Sequence, residues 1–208
     1  MGMVTRWWWI RHAPVTANHG CCYGQTDFPC DVDDQAALAR LAPMLPQGAV
    51  WIASPLQRTT MTATALLAAG AAPPESALTV EPELIEQHFG AWQGVKYTEL
   101  HARQGSDWHG FWLAPAQVTP PGGESFAALT ARVQPAIERL NERHSGRDIV
   151  SFSHGGPIRA ALGLALGLAP EDSLAFAIDN LSLTRIEHFP EPGGAHGWRV
   201  VTVNLPPR

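Results

Sequence analysis

The strongest constraint in this chain is a recurrence. Three short apolar runs each end on polar residues that can do chemistry. The run at 4–10 ends on Arg11-His12, the run at 49–53 on Ser54 with Arg58 just beyond, and the run at 149–153 on Ser153-His154. Aromatic and β-branched content marks such runs as strands. Helical patterns follow them. The acidic stretch 31–34 supplies an N-cap ahead of Ala36, Leu38, Leu41 and Leu45. The Ala/Leu/Thr/Met-rich segment 56–69 stops at Gly70. Phe126, Leu129, Val133, Ile137 and Leu140 repeat through 124–143, and Pro157 sits near the first turn of a helix over 156–166. Two late strands are expected at 181–187 and 199–203. Strands alternating with helices predict an α/β fold: a three-layer sandwich, mostly parallel sheet with helices on both faces. Ligands of open α/β sheets bind at the carboxyl ends of strands. Parallel neighbouring strands would therefore bring the three polar endings into one crevice.

Length and composition narrow the reading. A chain of 208 residues is most simply one domain, 1–208, with enough core to need no staple. An apolar fraction of 45% excludes a disordered chain. The net charge of −5 makes a general nucleic-acid binder a poor reading, yet it leaves room for a local cationic pocket. No run approaches the roughly 20 apolar residues of a membrane span. Cys21, Cys22 and Cys30 are odd in number and lack zinc spacing, so a reducing, cytoplasmic setting is expected. Between 84 and 123 the pattern turns irregular, rich in aromatics and glycine, and Pro120-Pro121-Gly122-Gly123 closes it. We read 84–123 as an inserted cap over the site, with short helices near 98–103 and 107–113.

A lone histidine after a strand is usually structural. Two histidines at strand ends, His12 and His154, with Arg11 and Arg58 beside them, point instead to a phosphate site, because guanidinium groups bind phosphate through paired donors. His88, His101 and His109 lie in the cap region, but no third ligand stands at a useful spacing, so no metal and no cofactor is expected. Trp7, Trp8 and Trp9 read as sheet packing, Glu124-Ser125 as a helix start, and Arg159 as a salt-bridge residue.

Taken together, these segments resemble the histidine phosphatase superfamily, the phosphoglycerate-mutase-like proteins. RHAPVTAN at 11–18 resembles the opening motif, with Asn18 in the family's Asn position. SPLQRTTMTA at 54–63 carries the family arginine at Arg58, and LIEQHFGAWQG at 84–94 carries the acid at Glu86. YGQTDFP at 23–29, PGGES at 121–125 and SHGGPIR at 153–159 complete a set running in family order. Ala13 departs from the usual Gly, and Gln93 from the common Glu. The resemblance implies a phosphoglycerate-mutase-like fold and a metal-independent phosphomonoesterase. His12 is the implied nucleophile, forming a phosphohistidine, and Glu86 is the proton donor. His154 joins them, with Arg11, Asn18, Arg58 and the amides around Gly155 on the phosphate. The implied partner is a small phosphomonoester, and a homodimer is compatible with the family. The chain looks most like the alpha-ribazole phosphatase branch. Trp92, Trp108, Phe111 and Trp112 offer aromatic surface for a flat base or for packing alone.

Three other readings stand beside it. A phosphoglycerate mutase on the same site is the first, although true mutases are longer. A noncatalytic phosphate-binding module is the second, although it need not keep a proton donor. The third is an α/β-hydrolase esterase, which needs Gly-x-Ser-x-Gly on an elbow; the nearest match, at 123–127, lacks the final Gly.

Overall fold

The computed structural model describes residues 3–102, 114–190 and 197–207. Six strands form one sheet: β1 (Thr5–Arg11), β2 (Val50–Ala53), β3 (Thr79–Val80), β4 (Asp148–Ser153), β5 (Leu183–His188) and β6 (Trp198–Leu205). Their order is β3-β2-β4-β1-β5-β6. The first four are mutually parallel, and β5 runs antiparallel to both β1 and β6. The helices are α1 (Gln35–Leu41), α2 (Gln57–Ala68), α3 (Tyr97–Ala102), α4 (Phe126–Arg143), α5 (Gly155–Leu166) and α6 (Pro170–Ser173).

Alternation along β1 builds the layers. Side chains two apart share a face. Trp7 and Trp9 enter one core with Val133, Ile137 and Leu140 of α4 and Ile158 and Leu162 of α5. Ile10 enters the opposite core with Leu38 and Leu41 of α1 and Leu66 of α2. Each such buried side chain contributes roughly 1.5–3 kcal/mol. The Trp7 and Trp9 rings stack 4.8 Å apart, and Trp7 Nε1 donates to Asn141 Oδ1 at 2.7 Å. Trp8 faces the other way, under the Arg185 guanidinium. The three tryptophans thus pack on both faces, as the sequence suggested.

Register brings the strand endings together. Arg11 pairs with Ser153, and Ala53 with Phe152. The ladder then runs one step past the strands: His12 N–H donates to the Ser153 carbonyl and Ser54 N–H to the Phe152 carbonyl. His12, Ser54 and His154 are therefore neighbours by backbone geometry alone.

Several boundaries differ from the pattern-based expectation. β5 begins at Leu183, because Leu181 takes a positive φ of 57° and turns its N–H to the Arg11 carbonyl. Ser125, not Glu124, caps α4, its side chain accepting from Ala128 N–H. α4 continues through Pro135, which removes one backbone donor inside the helix. β3 and α6, two and four residues long, carry too little periodicity to be foreseen. The helix expected near 98–103 is α3; the one expected at 107–113 lies outside the described residues.

Candidate active site

His12 sits at the end of β1 and is 1% exposed. Its Nδ1 lies 2.7 Å from the Ala13 carbonyl. A carbonyl only accepts, so Nδ1 carries the proton and Nε2 keeps a lone pair. Burial, then the charges of Arg11 and Arg58, hold the imidazole well below its ordinary pKa, against a small opposing effect of that carbonyl. The ring is therefore neutral at physiological pH. Ala13, where a Gly is usual, is fully buried, and its N–H donates to Thr62 Oγ1, so its methyl is absorbed by the α2-side core.

The His154 ring meets that of His12 edge-on at 5.1 Å between centroids. Arg58 Nε donates to His154 Nδ1 at 3.3 Å, which leaves the proton on Nε2, 2.6 Å from Ser54 Oγ. Burial and the same arginines hold His154 well below its ordinary pKa. Arg58 is fully buried on the first turn of α2. Its remaining donors reach the Thr26 carbonyl at 2.9 Å and the Gly24 carbonyl at 2.6 Å, and its guanidinium lies over the Tyr23 ring. Gly24 has φ +43°, and a Cβ there would lie 2.7 Å from the Gln87 carbonyl oxygen, so only glycine passes beneath this loop.

A cavity of about 390 Å³ opens beside these groups, and Arg11, Asn18, Glu86, Gly155 and Arg159 line it. Arg11 donates through Nη1 to the Ile178 carbonyl, while its buried Nε has no hydrogen-bond partner among the described residues. The Asn18 amide is turned to the Cys21 carbonyl at 2.7 Å. Glu86 accepts from the Gly156 N–H at 3.1 Å and from its neighbour Gln87 N–H at 2.9 Å. One of the two amides at the start of α5 thus fixes the Glu86 carboxyl group at the end of that helix. Gly156 has no room for a side chain: a Cβ there would collide with Glu86 Oε1 and lie 2.8 Å from Leu129 Cδ1.

Arg159 escaped the sequence reading as a site residue. Its Nε donates to the Phe176 carbonyl at 2.8 Å, it is nine-tenths buried, and it reaches the cavity wall. Burial pushes its pKa down to about 10 against the pull of Glu86. The signal was present: Arg159 follows Gly155 at i+4, the same helix face. In the sequence Ser54 is only a strand ending; its contact with His154 comes from the fold. Trp92 packs with Cys22, Phe89 and Leu100 in a small core of its own, so it serves packing; the cavity's aromatic walls are Tyr23, Phe89 and Tyr97. Trp108, His109, Phe111 and Trp112 lie outside the described residues. Gln93 accepts from the N–H groups of Gln25 and Phe89 and donates to Thr26 Oγ1, bracing the loop that Arg58 holds. Among the described residues, no three His, Cys, Asp or Glu side chains group as a metal site would need, and no helix is long and apolar enough to cross a membrane.

Comparison with known proteins agrees with this geometry. The chain is 33% identical to the "Bifunctional protein Rv2228c" of Mycobacterium tuberculosis over 153 residues, which span 72% of this chain and 39% of that protein. It thus covers well under half of that relative's length. It is 28% identical to the adenosylcobalamin/alpha-ribazole phosphatase of Escherichia coli K12 over 181 residues, 84% of this chain and 85% of the other. A solved structure titled "Mycobacterial hydrolase 2" superposes with a TM-score of 0.82 at 26% identity, covering 99% of this chain and 92% of that one. The family description that matches spans residues 7–205. By sequence and by fold, the chain belongs to the histidine phosphatase superfamily (branch 1).

Proposed function

We propose that this chain is a metal-independent phosphomonoesterase working through a phosphohistidine on His12 Nε2. The observation that carries the reading is the tautomer: the Nδ1 proton is fixed on the Ala13 carbonyl, so the nucleophilic lone pair stands ready on Nε2. That nitrogen attacks phosphorus in line, the ester P–O bond breaks, and Glu86 passes its proton to the departing alkoxide. The ionised Glu86 then takes a proton from water as that water attacks phosphorus. Inorganic phosphate leaves, and neutral His12 and protonated Glu86 are restored. Arg11, with its unpartnered buried Nε, and Arg58 supply the positive charge that Mg²⁺ supplies in other phosphoryl transfers. His154, Asn18 and the Gly155 amide complete the phosphate's surroundings. In this reading 84–123 is a cap contributing Glu86, Phe89 and Tyr97.

The test is rapid acid-free quenching of enzyme with ³²P-labelled substrate in excess EDTA. Labelled protein that loses phosphate in acid and keeps it in alkali is expected. Label stable in acid, or turnover that needs an added divalent ion, overturns the mechanism.

For the substrate, we favour alpha-ribazole 5′-phosphate. Similarity to the Escherichia coli enzyme over 84% of the chain supports it, and the aromatic walls suit a flat base. A kcat/KM for alpha-ribazole 5′-phosphate at least tenfold above that for ribose 5-phosphate is expected, because binding of the base is expressed at the reacting centre. Equal values would leave a broad phosphatase.

A further inference from the structure

Glu86 sits in a stretch with little regular structure. A single 3₁₀ turn at Pro82–Leu84 precedes it, and the next, at Gly90–Trp92, begins four residues on. Among the described residues, no sheet ladder or helix fixes the backbone of 85–88. A proton donor must nevertheless be held to within a fraction of an ångström of the leaving oxygen.

One ion pair takes the place of the missing ladder. Arg132, on α4, donates from Nη1 to the Glu83 carbonyl at 2.6 Å, and from Nη2 to the carbonyls of Ile85 at 2.9 Å and Glu86 at 3.1 Å. Its fork also grips the Glu124 carboxylate, Nε to Oε2 at 3.1 Å and Nη2 to Oε1 at 2.7 Å. Glu124 Oε1 in turn accepts the His88 N–H at 3.0 Å. Arg132 thus holds the carbonyls on and before Glu86, and Glu124 holds the amide two residues after it. The Gln87 amide group adds a bond to the Glu124 carbonyl at 2.9 Å. Both charged side chains are about four-fifths buried, and a bidentate pair in that setting keeps a fixed geometry. Arg132 is anchored on α4, an 18-residue helix packed on the sheet, and Glu124 stands just before its N-cap Ser125.

We propose that the Arg132–Glu124 pair is a positioning device for the proton donor: it aims Glu86 through its backbone and touches no substrate. This rests on the reading of Glu86 as the general acid. It accounts for Glu124, which reads from sequence as part of a helix start, although Ser125 does the capping.

The test compares n-propyl phosphate, whose leaving alkoxide needs a proton, with p-nitrophenyl phosphate, whose leaving group scarcely does. R132M and E124Q are made in the parent enzyme and in E86Q. In the parent, R132M should lower kcat for n-propyl phosphate about tenfold more than for p-nitrophenyl phosphate, with E124Q following in the same direction by a smaller factor. In E86Q, where no acid remains to be aimed, R132M should cost less than about threefold, since two residues acting through one group are not additive. Equal slowing of both esters by R132M and E124Q, or the full effect persisting in E86Q, overturns the proposal and reduces the pair to a stabilising contact. Should R132M not fold, E124Q decides alone. E86Q also separates the two ideas. If it fails to distinguish the esters, the acid role of Glu86 falls and this proposal with it. If it distinguishes them while both clamp variants do not, only the clamp falls.

Discussion

The site is built from two kinds of structure. Its floor, His12, Ser54, Arg58 and His154, hangs from the ends of three hydrogen-bonded parallel strands and the first turn of a helix, and is fully buried. Its wall, Glu86 with Asn18, Tyr23 and Phe89, rides on loops and is held by side-chain bonds to carbonyls and amides. The floor inherits its precision from the sheet ladder, which continues one bond past the strands into His12 and Ser54. The wall has no ladder and obtains its precision from Arg132, Glu124, Gln93 and the Gly156 amide. A floor residue can be lost without the backbone moving; a wall residue can be misplaced by a change at a distant side chain.

The largest effect is expected at the floor. His12→Ala should reduce turnover on the order of 10⁴-fold or more, as expected when a nucleophile is removed, while the protein stays folded because the ladder around residue 12 is backbone. Circular dichroism and a phosphate-release assay check both halves, and substantial turnover by the variant breaks the assignment.

At the wall, Gly156→Ala should cost about 10²-fold in kcat for an alkyl phosphate, within the usual worth of general acid catalysis. The added methyl collides with the Glu86 carboxylate and with Leu129. The loss for p-nitrophenyl phosphate should be several-fold smaller. A uniform loss would mean that the methyl distorts α5 and the floor beneath it.

The smallest effect concerns stability. His12 and His154 are held neutral by burial and neighbouring arginines, so their folded-state pKa values lie well below the unfolded value of about 6.5. Below that value the unfolded chain binds more protons, so the stability present above about pH 6.5 declines as pH falls toward the folded-state values. Urea titrations at pH 7.5 and 5.5 should show a lower midpoint at 5.5, and His12→Asn should narrow the gap. An unchanged gap would place the acid sensitivity elsewhere.

The same division explains what was legible in the sequence. The strand endings announce the floor, because a run of aromatic and β-branched residues that stops on Arg-His or Ser-His can be placed from period and composition alone. Glu86 gives no such signal and is found only through its resemblance to a known segment. Arg159 was visible at i+4 from Gly155 but has the look of a structural arginine, and only the packing of α5 turns it to the cavity. Trp92 was readable two ways, as a stacking surface or as packing, and it takes the second, lying against Cys22, Phe89 and Leu100. Glu124 looks like a capping residue until the partner eight positions on is seen, because a long-range bond to a loop carbonyl leaves no local pattern.

Arg58 carries a consequence for how the site is prepared. Among the described residues, three of its five N–H donors are held by the Gly24 and Thr26 carbonyls and by His154, which leaves two uncommitted. These three bonds fix the guanidinium in one geometry. An anion meeting it has little side-chain entropy left to remove, which is the cost that preorganisation saves. The loop at 24–26 supplies that order.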